Sequence, residues 1–251
     1  MAPTSIDGTE ITGATIDGQD VSEITVDGET VFTAIPDSAI YYWDPGNFAS
    51  PWTDEVIGED MTINGGLSSN TFSDGSDAVL GDGVDDYGTA GATDIFYNSM
   101  SLEIELSTTT TSVDFPFGLL EGTAPGELIY YIYLNQDGNF NDDDGRFTLF
   151  ISDGGGIGAL AFSYNLPFND GNKHKVSFII NDAAQNDVDM IVDGQSVTPS
   201  LDRANGPNIS GKVSSVNPMY FARNVDGPQD YFSGKLGKIV HHDEAITKQT
   251  I

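Results

Sequence analysis

Short segments of alternating apolar and polar residues recur along almost the whole chain, and patterns of helical period are nearly absent. In the run 101–106, Leu102, Ile104 and Leu106 fall on one side, Glu103 and Glu105 on the other. That spacing predicts a half-buried strand of an antiparallel sheet, because successive side chains of a strand point to opposite faces. Similar segments at 39–43, 78–80, 86–89, 115–120, 128–134, 146–151, 158–164, 173–180, 187–192, 195–199, 219–223 and 230–240 are bounded by Gly, Asp, Asn and Pro. Many short strands separated by turn residues predict an all-β fold, an antiparallel β-sandwich of the jelly-roll kind. The end, 243–251, reads as one short helix.

Ahead of these segments stand three copies of one phrase at a period of ten: Ile6-Asp7-Gly8, Ile16-Asp17-Gly18 and Val26-Asp27-Gly28. Each is followed by a second apolar residue, Ile11, Val21 and Val31. Asp-Gly favours a tight hairpin turn, since Gly adopts positive φ at no steric cost. Very short hairpins lack a core of their own and need a partner. The repeats therefore read as a docking and oligomerisation element over 1–35. Pro36 marks the linker, and the sandwich occupies 36–251.

The chain has 251 residues and a formal net charge of −30, and residues 1–145 contain neither Lys nor Arg. Fourteen Phe and ten Tyr argue against a disordered acidic tail. Concentrated salt is the environment that such a surface suits. The Debye length falls to ~3 Å at molar salt, so the carboxylates barely repel one another there, whereas at low salt they push the fold apart. The charge excludes nucleic acid as a partner, because phosphate contacts need clustered cations. No apolar run is long enough to cross a membrane. No basic and apolar leader precedes the repeats, and no Cys is available for disulfides, thiolate metal sites or thiol catalysis.

Several phrases, in order, resemble the concanavalin A-like lectin and glucanase family in its laminin-G-like branch. They are Gly81-Asp82-Gly83-Val84-Asp85-Asp86-Tyr87, Ser101-Leu102-Glu103-Ile104-Glu105-Leu106, Asp170-Gly171-Asn172-Lys173-His174-Lys175-Val176 and Val188-Asp189-Met190-Ile191-Val192-Asp193-Gly194. The closing strand Phe232-Ser233-Gly234-Lys235-Leu236-Gly237-Lys238-Ile239-Val240 and the turn Glu244-Ala245-Ile246-Thr247 complete the series. Where that family commonly carries Arg-Ile-Tyr-Asn-Arg, this chain has Lys238-Ile239-Val240-His241-His242. The resemblance implies the jelly roll, and an ability to contact glycans through loops at one rim.

The leading repeats resemble segments at the start of virion appendage proteins of tailed viruses, such as tail fibres and capsid-vertex spikes. With the acidic surface, this implies a virion protein of a haloarchaeal tailed virus, placed outside the cell by lysis. Its expected partners are copies of itself in a trimer or pentamer around a symmetry axis, capsid or tail proteins, and a host cell-surface glycan or glycoprotein. A secreted halophilic lectin or glycoside-active enzyme is the alternative, and a ligand-free capsid decoration a third.

Some sandwiches of the lectin and glucanase family are retaining glucanases, which need paired carboxylates about 5 Å apart, set as Glu-x-Asp-x-x-Glu. Glu103-Ile104-Glu105 lacks the third acid, so no catalytic role is expected there. No Ser/His/Asp signature is visible either. His174, His241 and His242 fall on strand positions, and neighbours such as His241 and His242 point to opposite faces. For calcium, the one cofactor the sequence suggests, the densest oxygen set is Asp137, Asn139, Asn141, Asp142 and Asp144; it is not an EF-hand, since Asp142 stands where that loop needs Gly. An acidic hairpin tip is the competing reading. Asp74, Asp77, Asp82 and Asp85 form a second, weaker set. Trp43, Trp52, Tyr130, Tyr131 and Tyr133 are the candidates for stacking on sugars, against the plainer reading that aromatics fill cores.

Overall fold

The computed structural model describes residues 38–91, 99–120, 129–136, 142–152, 159–165, 168–182, 187–204, 219–222 and 231–246, with the strand residues of three N-terminal hairpins. In those hairpins β1 (Ser5–Ile6) pairs with β2 (Thr9–Glu10), β3 (Thr15–Ile16) with β4 (Gln19–Asp20), and β5 (Glu23–Val26) with β6 (Glu29–Thr33). Ile6 faces Thr9, Ile16 faces Gln19 and Val26 faces Glu29, so two residues, Asp-Gly each time, separate the innermost pairs. The ten-residue period is thus a period of hairpins, each its own two-stranded sheet.

Two large antiparallel sheets form the sandwich. The eight-stranded one is built from β7 (Ala39–Trp43), β10 (Ser68–Thr71), β11 (Asp77–Asp82), β13 (Met100–Ser107), β18 (His174–Asp182), β19 (Asp187–Val192), β20 (Gln195–Val197) and β23 (Ser233–His242). Its order is β10-β11-β23-β13-β18-β19-β20, with β7 also paired to β23. The nine-stranded one contains β8 (Trp52–Thr53), β9 (Asp60–Asn64), β12 (Tyr87–Ala90), β14 (Asp114–Leu120), β15 (Ile129–Gln136), β16 (Asp142–Ser152), β17 (Ala159–Asn165), β21 (Ser200–Ala204) and β22 (Met219–Phe221). Its order is β21-β17-β16-β15-β14-β22-β12-β9-β8.

The pleat dictates the core. Leu102, Ile104 and Leu106 of β13 point inward beside Val176, Phe178 and Ile180 of β18 and Ile239 of β23, all essentially unexposed. The other sheet supplies Phe117, Ile132, Leu134, Phe147, Leu149 and Phe221 to the same cluster. Each such burial contributes roughly 1.5–3 kcal/mol before the entropy of ordering is counted. A smaller cluster of Phe115, Tyr133, Phe150 and Ala161 is separate from this core.

Two expectations need correction. First, β13 is not half-buried: Ser101 is fully covered and Glu103 is buried as well. Strand β13 lies between β18 and β23, whose long side chains close over its outer face. Second, residues 243–246 do not form a helix. Ser101 holds them instead, its Oγ donating to Glu244 O at 3.0 Å and accepting from Ile246 N at 2.9 Å. Residues 247–251 lie outside the described residues.

Candidate functional site

On the outer face of the eight-stranded sheet the register sets polar side chains side by side. Glu103 lies opposite Ser177 on β18 and Val240 on β23, and Glu105 lies opposite Lys175. Lys175 Nζ sits 2.8 Å from Glu103 Oε2, and Ser177 Oγ donates to the same oxygen at 3.2 Å. His242 Nε2 lies 3.1 Å from Glu103 Oε1, and Ser38 Oγ lies 2.8 Å from His242 Nδ1. Burial pushes the Glu103 carboxyl up, but the His242 hydrogen bond and the Lys175 ammonium outweigh it and hold the group at about 2.

Glu105 is paired with Lys173 at 3.3 Å and accepts the Lys238 backbone N–H at 3.2 Å. Lys173 also lies 5.1 Å above the Phe72 ring. A chain with only nine Lys and Arg thus spends Lys173 and Lys175 on these two acids. Glu103 does not suit the general-acid role of a glycosidase: an acid held ionised near 2 cannot carry the proton that a leaving group needs at neutral pH.

His241 faces the opposite way from His242, into the core, and burial holds it far down and neutral. The two cannot share a metal. His174, at the start of β18, lies 2.8 Å from Asp193 Oδ2 through Nδ1 and 3.2 Å from Asp170 Oδ1 through Nε2. It ties two turns at one end of the sandwich.

Three of the proposed sugar platforms are interior. Trp43 is 0% exposed, stacked on Tyr41 at 5.2 Å and edge-on to Phe221 at 4.8 Å. Trp52 is 1% exposed, packs against Phe48, and donates its indole N–H to Asp44 O at 3.1 Å. Tyr133 is fully buried beside Phe115 and Phe150. These rings hold the fold and present no face to a sugar. Tyr130 and Tyr131 belong to β15, but their side chains lie outside the described residues. So do Asp137, Asn139 and Asn141, and the side chains of Asp142 and Asp144 at the start of β16.

The second acidic set is partly assembled. Carboxylate oxygens of Asp82, Asp85 and Asp86 all lie within 4.8 Å of one another, an oxygen set of the kind a hard cation such as calcium takes. Asp86, which the sequence reading left out of this set, is the buried member. It accepts the Gly66 N–H through Oδ1 and the Asp82 N–H through Oδ2 at 3.1 Å. Asp82 Oδ1 accepts from Val84 N at 2.7 Å and so shapes the turn that leaves Val84 68% exposed. Tyr87 follows Asp86 in sequence, and its half-buried ring lies 6.0 Å from that of Tyr231. Asp74 stands apart, bonded to Ser76 and 3.7 Å from Lys173, and Asp77 is an exposed residue of β11.

No protein-family model matches the sequence, and no curated protein matches it. Solved structures do. The binding domain of botulinum neurotoxin serotype D superposes with a TM-score of 0.57 at 9% identity, over 84% of this chain and 50% of that one. Domain 4 of AbnA, a GH43 extracellular arabinanase from Geobacillus stearothermophilus solved with arabinotriose, gives 0.55 at 13% identity, over 84% of this chain and 95% of that domain. A Trypanosoma rangeli sialidase gives 0.54 at 12% identity, over 96% of this chain and 35% of that one. The chain therefore spans about half the toxin domain and about a third of the sialidase. What it shares with these proteins is the antiparallel β-sandwich fold.

Proposed function

We propose that the chain is a glycan-binding protein of a virion surface that does not hydrolyse glycosides. Its sandwich contacts a host cell-surface glycan or glycoprotein, and its N-terminal hairpins fix it to the capsid or tail of a tailed virus in a high-salt environment. The observation that carries the glycan part is the agreement with a complete arabinotriose-holding domain, which the chain matches over 95% of that domain's length. Botulinum neurotoxin type C, whose cell entry depends on interaction with two ganglioside molecules, superposes with a TM-score of 0.58 at 10% identity. The ion-paired Glu103 adds support, since a carboxyl held ionised does not serve as the general acid of glycoside hydrolysis.

The contact surface we assign is the rim around Asp82–Asp86, where an exposed apolar tip, a tyrosine pair and three carboxylates lie together. The hairpins supply attachment and bring copies together, so that weak single sites act jointly. A glycan array probed in molar salt tests the reading, with Tyr87→Ala and Tyr231→Ala as controls. Retention of particular glycans that falls about tenfold or more in either variant supports it, in line with the energy of an aromatic contact. Absence of glycan retention at any salt concentration overturns it. Addition of a chelator shows whether the acidic rim works through calcium.

A further inference from the structure

Neither glycan contact nor attachment uses the hydrogen-bonded chain at the start of β7. Ser38 Oγ is 2.8 Å from His242 Nδ1, and His242 Nε2 is 3.1 Å from Glu103 Oε1. Ser38 is the most accessible of the three: it is half-buried, whereas His242 is 1% and Glu103 7% exposed. The second Glu103 oxygen is fixed by Lys175 and Ser177. A nucleophile needs a reachable oxygen, a base within hydrogen-bond distance and a third group that orients the base. We propose that Ser38 is an activated nucleophile that accepts the acyl group of a carboxylic ester, with His242 as its base and Glu103 as the residue that positions that base.

The protons follow from the geometry. An ionised Glu103 can only accept, so His242 donates to it through Nε2, and the imidazole form that acts as base turns its Nδ1 lone pair toward the Ser38 hydroxyl. Attack forms the bond from Ser38 Oγ to the carbonyl carbon and passes the hydroxyl proton to Nδ1. The resulting imidazolium rests against the Glu103 carboxylate. Collapse breaks the ester C–O bond, and the same proton leaves with the alcohol. Water then attacks the acyl-serine with His242 again as base, releasing the carboxylic acid and restoring the hydroxyl. The Lys175 ammonium already offsets much of the Glu103 charge, so the base is weaker than one backed by an unpaired carboxylate, and slow turnover is expected. An O-acylated sugar is the ester of choice; that choice rests on the glycan reading, and the nucleophile does not.

The test is covalent labelling of the full chain in molar salt with a fluorophosphonate, from which Ser38 Oγ displaces fluoride. Peptide mass mapping is expected to find the adduct at Ser38 and to lose it in Ser38→Ala. His242→Gln should slow labelling by roughly 100-fold, the usual contribution of a general base. If that variant does not fold, the position of the adduct in the unchanged chain decides. No adduct at Ser38, or an undiminished rate in a folded His242→Gln, overturns the proposal. Glycan retention by Ser38→Ala is measured separately, so the two readings fail independently.

Discussion

Lys175 Nζ lies 2.8 Å from Glu103 Oε2, reaching across from β18 to the neighbouring strand β13. With His242 on the other oxygen, the contact keeps a carboxylate ionised although only 7% of the residue is exposed. Truncation is then more harmful than neutral replacement. Glu103→Ala leaves Lys175 and buried His242 without their acceptor and should cost about 3–5 kcal/mol in chemical denaturation. Glu103→Gln keeps the volume and one acceptor oxygen and should cost less. The carboxyl is depressed from its ordinary 4.5 to about 2 in the folded chain. Its contribution is therefore present above pH 4.5 and lost as pH falls toward 2. In Glu103→Gln that part of the acid-unfolding slope should vanish.

His241 gives a second window with its own sign. Burial holds this histidine from its ordinary 6.5 down to about 3, so the folded chain keeps it neutral while the unfolded chain takes up a proton. Stability should fall as pH drops below 6.5, by up to about 1.4 kcal/mol per pH unit. His241→Phe removes the titrating group from an apolar position. It should flatten the loss between pH 6 and pH 4 in melts at fixed molar salt, where Glu103 contributes little. An unchanged pH dependence would count against a neutral, interior His241.

Asp86 braces the rim mechanically. Its carboxylate receives the Gly66 and Asp82 N–H groups and so joins the turn after β9 to the turn after β11. Gly65 sits at φ +71, and a Cβ there would strike Asp85 O, so this turn has no slack. Asp86→Ala leaves two backbone donors without their acceptor and should cost roughly 2–3 kcal/mol. Glycan retention should fall with it if the rim is the contact surface. Asp85→Ala, exposed in the same cluster, should leave the melting temperature nearly unchanged.

What the sequence discloses follows from the range of each interaction. The inward set Leu102, Ile104 and Leu106 is legible because a strand's period of two is written in adjacent residues. The hairpins are legible because Asp-Gly sets the turn locally. The opposite facing of His241 and His242 comes from the same rule. The Ser38, His242 and Glu103 series is not legible, because Ser38 and His242 are 204 positions apart and meet only when β7 pairs with β23. Trp43 and Trp52 read as sugar platforms because a sequence displays the ring and not its cover, here Tyr41, Phe48 and Phe221. Asp86 passes unnoticed among many acids, since burial alone distinguishes it from exposed Asp85.

Removal of residues 1–35 separates attachment from recognition. The three hairpins pair within themselves, and among the described residues none joins either large sheet by strand pairing. Strand β7, which begins at Ala39, is retained by β23 through the ladder from Ile239–Trp43 to His242–Ala39. The truncated chain should therefore fold in molar salt with a melting temperature within a few degrees of the full chain. It should also keep its glycan retention while losing oligomerisation and incorporation into particles. Because the net charge is −30, both forms should melt far lower in dilute buffer than in molar salt. Particle incorporation by the truncated chain would remove the docking role from the repeats. Equal melting at both salt concentrations would remove the high-salt assignment while leaving the sandwich untouched.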